Sequence, residues 1–408
     1  MNTEVSTNTG SLRGAFDDYI SRIKSGDMGA LPGVLGLVVL CIVFGVMSDV
    51  FLTPGNFANL LTQAASVTVI AMGLVFVLLL GEIDLSAGYA SGVCGAVLVI
   101  LITDMGYPWW IALAASIVVG AILGYTIGTL VSRLGIPSFV VTLAAFLMFQ
   151  GLLLLLAGEG GTIRIEDPTI LAVQNNNLTP FISWIFFLVV SIIYVLIGLA
   201  RINSRRKAGL KSELKKLWAL KTTSLLLIGA GAVWALNLER SNNPDLVSLK
   251  GTPYVVPVIL ALLVGGTFVL GRTAYGRHIY AVGGNAEAAR RAGINVKNIR
   301  TSAFVICSAF AAIAGMLFAS RQNSISPTTG GSSTLLYAVG AAVIGGTSLF
   351  GGKGKMRDAV LGGLVVAVID NGMGLLGYAA GVKFIVTGAV LLISAGVDAI
   401  SRRGASTS

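Results

Sequence analysis

Long apolar runs separated by short polar breaks constrain this chain more than any other feature of its sequence. About 20 apolar residues make a helix long enough to cross the hydrocarbon core of a bilayer, where only helices and closed barrels satisfy their own backbone. Twelve such runs occur, at 31–50, 57–80, 86–103, 108–131, 137–157, 180–200, 222–238, 253–271, 299–320, 333–350, 357–376 and 381–400. Little polar material remains: 55% of the residues are hydrophobic and 11% charged, against roughly 25% charged in soluble domains. Fifty-two glycines suit helices that approach closely through small residues. The expected fold is all-α, a polytopic transmembrane helical bundle of about 12 spans.

Lysine and arginine set the orientation. With residues 1–30 inside, 23 of the 28 basic residues fall in inward loops and 5 in outward ones, namely Arg164, Arg240, Lys250, Arg321 and Lys383. Both termini are therefore expected in the cytoplasm, as tails at 1–30 and 401–408. Asp17, Asp18 and Asp27 precede the first apolar run, so no secretory leader is expected there. The net charge of +10 belongs to orientation, and no nucleic-acid partner is expected. Trp109, Trp110, Trp184 and Trp234 lie at run ends, where the bilayer interface takes indole rings.

Three loop regions stand out. The basic stretch 201–221, with Leu210, Leu214, Leu217 and Trp218 at helical spacing, predicts an amphipathic helix against membrane lipid. The outward loops 158–179 and 239–252 are long and carry Glu159, Glu166, Asp167, Glu239 and Asp245, either as a docking surface or as a solvated face. The inward loop 272–298 predicts a short self-capped helix. Asn285 is its N-cap, Glu287 lies in the first turn, Arg290 and Arg291 in the last, and Gly293 ends it. A small ordered helix in a water-facing loop points to a docked partner.

A weak internal repeat pairs residues 73–88, GLVFVLLLGEIDLSAG, with residues 341–354, AAVIGGTSLFGGKG. Each ends an inbound run in a glycine-flanked turn, so the halves are expected to be parallel repeats about the membrane normal.

Chemistry is sparse. The nearest approach to a phosphate-binding loop, residues 347–354, begins with Thr347 instead of glycine and places Gly354 after Lys353, where a magnesium-binding hydroxyl belongs. No ATP site of its own is expected. Asp370 is the one acid deep in a run, with no basic partner visible in sequence, which is thin support for ion coupling. His278 is the single histidine, and Cys41, Cys94 and Cys307 lie in apolar runs without metal-ligand spacing. No catalytic residues, cofactor or metal are expected.

Four strings, GEIDLSAG (81–88), RLGIPSFVVTLA (133–144), GRHIYAVGGNAEAARRAGI (276–294) and AAVIGGTSLFGGKG (341–354), together resemble the permease subunits of bacterial ABC sugar importers of the ribose, xylose, arabinose and galactoside group. The chain is most similar to the xylose permeases in having an inserted helical pair with a basic connector, 180–238. The resemblance implies a transmembrane permease domain at 31–400 and a cytoplasmic coupling loop at 272–298. Within that loop it implies that Gly283, Gly284, Asn285, Glu287, Ala288, Ala289, Arg290 and Gly293 form a coupling helix seated on a separate cytoplasmic ATPase subunit. A periplasmic sugar-binding protein and a second permease copy complete the importer it implies. Two residues depart from the family pattern: Glu82 stands where glycine is usual, and Lys353 adds a charge to the second glycine turn.

A neutral monosaccharide suits a pathway with few charges. Gln63, Ser66, Thr68, Thr142, Gln150 and Asn371, polar residues within apolar runs, are the candidate lining groups. Two other classes remain, an ion-gradient-driven secondary sugar transporter and a membrane scaffold with no solute flux.

Overall fold

A computed structural model describes residues 31–158, 161–209, 215–241 and 243–406. The expected tail 1–30, the end of the tail 401–408, Glu159, and Leu210 and Leu214 of the basic connector lie outside them. Each of the twelve apolar runs falls on a helix. Eight helices among the described residues are long and apolar enough to cross a membrane, and four more apolar ones are shorter: Leu31–Met47, Ala87–Thr103, Ser332–Ile344 and Ala380–Gly396.

The described helices divide between two compact units. The larger comprises residues 29–176 and 253–398. It holds α1 (Leu31–Met47), α2 (Pro54–Leu78), α3 (Ala87–Thr103), α4 (Trp109–Arg133), α5 (Ser138–Ala157) and the short α6 (Pro168–Asn175). The second unit, 177–252, holds α7 (Pro180–Lys207) and α8 (Lys215–Leu236). The larger unit resumes with α9 (Val255–Arg272), α10 (Ala274–Gly284), α11 (Ala286–Arg291), α12 (Val296–Gln322), α13 (Ser332–Ile344), α14 (Met356–Leu375) and α15 (Ala380–Ser406) as far as residue 398.

Helix starts follow their caps. Thr53 accepts from Asn56 N with Pro54 at the first turn, and Thr179 accepts from Ile182 N ahead of Pro180. α2 and α12 form the buried centre of the larger unit. Residues Val69 to Leu79 of α2 and its end are all buried, most of them completely. Contact between helices runs through small residues. Gly120, Gly124 and Gly128 of α4, four apart and so on one face, leave room only for the α12 backbone at Ser308, Phe304 and Thr301. Ser132 and Thr301 extend the seam with a hydroxyl pair at 2.8 Å.

The structure corrects several expectations. The run 333–350 does not stay helical: α13 stops at Ile344, and Gly346, with φ of 117°, turns the chain into a glycine loop. The chain is not purely α, because β1 (Ile163–Arg164) pairs antiparallel with β2 (Ser324–Ile325). The described part of the expected outward loop, 161–179, contains folded structure: Asp167 caps α6 through Thr169 N and Ile170 N, both at 2.9 Å, and Ile165, Ile170 and Gln174 are buried. Asn175 Nδ2 donates to Ser320 O at 2.9 Å, tying α6 to the end of α12.

The basic connector is not one amphipathic helix. α7 carries the helix through Arg205, Arg206 and Lys207 to a turn at Gly209, with φ of 66°, and α8 begins at Lys215. Trp218 instead packs against Gly198 within this second unit. Only Ser183 and Ile202 of α7 are buried, so most of its apolar surface is left for lipid.

The glycine seam yields a stability prediction. Gly124→Leu forces a side chain into the α12 backbone, at or above the upper end of the roughly 1–3 kcal/mol that overpacking costs. We expect it to abolish monodisperse protein on size-exclusion chromatography. Gly36→Leu, where a Cβ meets nothing within 4 Å, is expected to elute like the parent.

Candidate coupling surface and polar pathway

Polar chemistry in the larger unit gathers at its two ends. At one end the loop between α9 and α12 folds as a compact brace. Thr273 caps α10 through Gly276 N, and Ile279 and Val282 anchor that helix in the core. Tyr275 Oη lies 2.9 Å from Ser302 Oγ, which ties α10 to α12. α11 sits at the apex. Asn285 Oδ1 accepts from Ala288 N at 2.9 Å, and Gly293, with φ of 84°, ends the turn.

Glu287 is held by its own helix. Arg290 donates to it at 2.9 and 2.8 Å and Arg291 at 3.1 Å, and these hydrogen bonds, Arg290 first, hold its carboxyl down to about 2. Glu287, Ala288, Arg290, Arg291, Ala292 and Gly293 form a continuous exposed face. The expected residues divide between two helices. Gly283 and Gly284 belong to α10, not to the capped helix, and Ala289 is buried at 4% against the chain's own core. Asn295 then caps α12 through Asn298 N.

Beneath this brace the two glycine turns meet at the same end of the bundle. Gly352 N donates to Leu79 O at 2.9 Å. Gly283 fits against both Leu79 O and Gly352 N, where no larger residue has room. Tyr280 Oη donates to Gly354 O at 2.7 Å. Arg300 of α12 reaches Glu82 at 3.2 Å, and Lys353 is exposed to solvent instead of packed within its turn.

The first turn is itself firmly built. Ile83 N accepts no strain: it donates to Ser138 Oγ at 3.3 Å, and Thr142 Oγ1 donates to Ile83 O at 3.2 Å. Asp84 is fully buried, with Ser86 N and Oγ donating to it at 2.9 and 2.6 Å. Burial pushes that carboxyl up, against the Ser86 hydrogen bonds that pull it down.

The other end holds a polar network that the sequence showed only in part. Asn56, Asn59 and Gln63 share one face of α2. Asn56 and Asn371 of α14 exchange two amide hydrogen bonds, both 2.9 Å. Gln63 Nε2 donates to Asp370 Oδ2 at 2.6 Å, and Lys383 of α15 lies 3.4 Å from Asp370 Oδ1. Arg321 Nη1 donates to Thr62 Oγ1 at 2.8 Å. Asp370 therefore has the basic partner that sequence alone did not supply.

Of the six candidate lining residues, only Gln63 and Asn371 are brought together here. Ser66 and Thr68 are buried further along α2, with Thr68 packed against Gly363. Thr142 is buried and donates to Ser138 O at 2.8 Å, so it serves the first glycine turn. Gln150 is exposed on α5. Among the described residues, no cluster of three or more His, Cys, Asp or Glu is placed to hold a metal ion.

Comparison with known proteins adds to this geometry. Residues 56–395 match the family model described as branched-chain amino acid transport system / permease component. The chain is 34% identical over 387 residues to the xylose transport system permease protein of Escherichia coli (strain K12), covering 94% of this chain and 95% of that one. It is 32% identical over 383 residues to the xylose transport system permease protein of Haemophilus influenzae, covering 94% and 99%. To the ribose import permease protein of Escherichia coli (strain K12) it is 26% identical over 371 residues, covering 90% and 92%. No solved structure matches.

The amide pair can be tested by a double-mutant cycle. Asn56→Leu leaves Asn371 without its reciprocal partner and is expected to cost about 1–2 kcal/mol in detergent-solubilised protein. Asn56→Leu with Asn371→Leu is expected to cost less than the sum of the single changes, as read from thermal unfolding. Strict additivity would show that the two amides do not stabilise one another.

Proposed function

The chain belongs to the branched-chain amino acid transport system / permease component family, and on that premise we propose that it is the membrane-spanning permease subunit of an ATP-driven ABC importer for a neutral monosaccharide, D-xylose. It resides in the cytoplasmic membrane and works as a transport subunit, with ATP hydrolysed by a separate cytoplasmic ATPase. A sugar-binding protein delivers the substrate from the other side. The importer contains two permease copies and lies in lipid with twelve spans, both termini inside, and the 180–238 pair as an insertion in the transmembrane domain.

The observation that carries this reading is the exposed, self-capped α11, which directly follows the end of α10 where Gly283 packs on both glycine turns. A partner that grips its outer face acts at once on the ends of α2, α3, α12 and α13. Rigid movement of these packed elements supplies alternating access. Asn285, Glu287, Ala288, Arg290 and Gly293 form the ATPase-coupling site, with Gly283 and Gly284 as its seat. Gln63 and Asn371, joined by Asp370 and Lys383, line the far end of the sugar pathway, because charged groups within a membrane bundle gather along substrate routes.

Reconstitution tests the reading. Proteoliposomes holding the permease and its ATPase, supplied with the binding protein, are expected to take up D-xylose only with ATP on the ATPase side and with no loss when ionophores collapse ion gradients. Uptake by the permease alone, abolished by those ionophores, would support a secondary transporter instead.

Glu287→Lys removes the partner of Arg290 and Arg291 and places a third positive charge beside them. We expect it to abolish copurification of the ATPase and sugar uptake without reducing inserted protein. Wild-type uptake with the ATPase still bound would count against the docking site. Glu287 has a lowered folded pKa, so its pairing is fully present above the ordinary value of 4.5 and is lost as pH falls toward about 2. Copurification is accordingly expected to be insensitive to Glu287 titration between about pH 6 and 8.

A further inference from the structure

The coupling brace is tied to the glycine turns in two different ways. Its ties to the second turn are neutral: Tyr280 Oη donates to Gly354 O, and the Gly283 backbone rests beside Gly352. At the first turn, Gly283 makes a backbone contact with Leu79, and among the described residues the ionic tie there is Arg300 with Glu82. The two side chains are 33% and 14% exposed, so water screens their attraction less than it screens a surface pair.

The positions of the two residues give this pair its leverage. Arg300 lies one turn into α12, directly after the capped α11, and moves with the brace because Tyr275 is bonded to Ser302. Glu82 lies in the turn that joins α2 to α3 and that α5 holds through Ser138 and Thr142. Arg300 Nε approaches Glu82 Oε1 at 3.2 Å but is not aligned as a hydrogen bond. Charge attraction of this kind resists separation while tolerating rotation, which suits a joint between two moving parts.

We propose that Glu82 and Arg300 are positioning residues that make the first glycine turn follow the coupling helix, and so set how much sugar is moved for each ATP hydrolysed. The inference rests on the coupling role of α11 argued above. Removing the pair leaves the docking face and the second-turn ties intact. The ATPase stays bound and continues to cycle, but the first glycine turn follows it less closely.

The test uses the assembled importer in proteoliposomes, with sugar uptake and phosphate release measured on the same sample. Glu82→Gln and Arg300→Gln are each expected to retain the ATPase on copurification and to lower the sugar-to-ATP ratio by about fivefold or more, the lower end of common coupling factors. The reversed pair, Glu82→Arg with Arg300→Glu, is expected to recover most of that ratio. If the reversed protein fails to accumulate, Glu82→Asp, which keeps the charge on a shorter side chain, is expected to fall between Glu82→Gln and the parent.

A merely structural role would reduce uptake and hydrolysis together and leave their ratio unchanged, which would overturn the proposal. So would a reversed pair that accumulates normally but stays as uncoupled as the single variants. Failure of the coupling-helix reading itself has a separate signature, because the parent protein would then show no ATPase binding and no ATP-dependent uptake.

Discussion

Backbone-to-backbone approach at glycine is the constraint on which the rest of this structure depends. In lipid, apolar side chains gain little by meeting one another, so helices associate through close packing and interhelical hydrogen bonds. The Gly120, Gly124 and Gly128 stripe brings α4 onto α12, and Gly315 brings α12 onto α3 beside Ser91 and Gly95. The same device recurs where the chain leaves the helices. Gly283, Gly351 and Gly352 let two separate segments converge on the carbonyl of Leu79 at the end of a third. A bundle assembled this way tolerates few insertions at its seams, and its glycine turns are as closely packed as its helices.

The polar groups follow a complementary logic. Buried polar groups are costly unless they are paired. The first glycine turn accordingly buries Asp84 and Ser86 and bonds Ile83 at both its amide and its carbonyl. At the far end, Asp370 and Lys383 meet instead of standing alone, and the amides of Asn56 and Asn371 satisfy one another. Pairing makes these groups tolerable in a lipid-embedded body.

Much of this was legible in the residues, and the limits have physical causes. The apolar runs predicted the helices closely because a membrane helix must satisfy its own backbone over its full length. Asn285, Glu287 and Gly293 were readable because capping is local. α6 carried an equally local signal, an Asp167–Pro168 start, that was overlooked within a polar loop. Pairings between distant segments left no such mark. Nothing in the apolar pattern places Lys383 beside Asp370 or Arg300 beside Glu82, because periodicity gives a helix its face but not its neighbour. Nor does it show that Gln150 is exposed or that Thr142 bonds to the first glycine turn.

α12 runs unbroken for 27 residues, without proline, from Arg300 near the capped loop to Arg321 in the opposite network. At 1.5 Å per residue it is a rod about 40 Å long. A rod pivoting about its waist swings its tips in opposite senses, and a tilt of about 5° displaces one tip by roughly 3 Å relative to the other over that length. Narrowing one mouth of the bundle and widening the other can then be a single seesaw stroke, with no joint inside the helix that makes it.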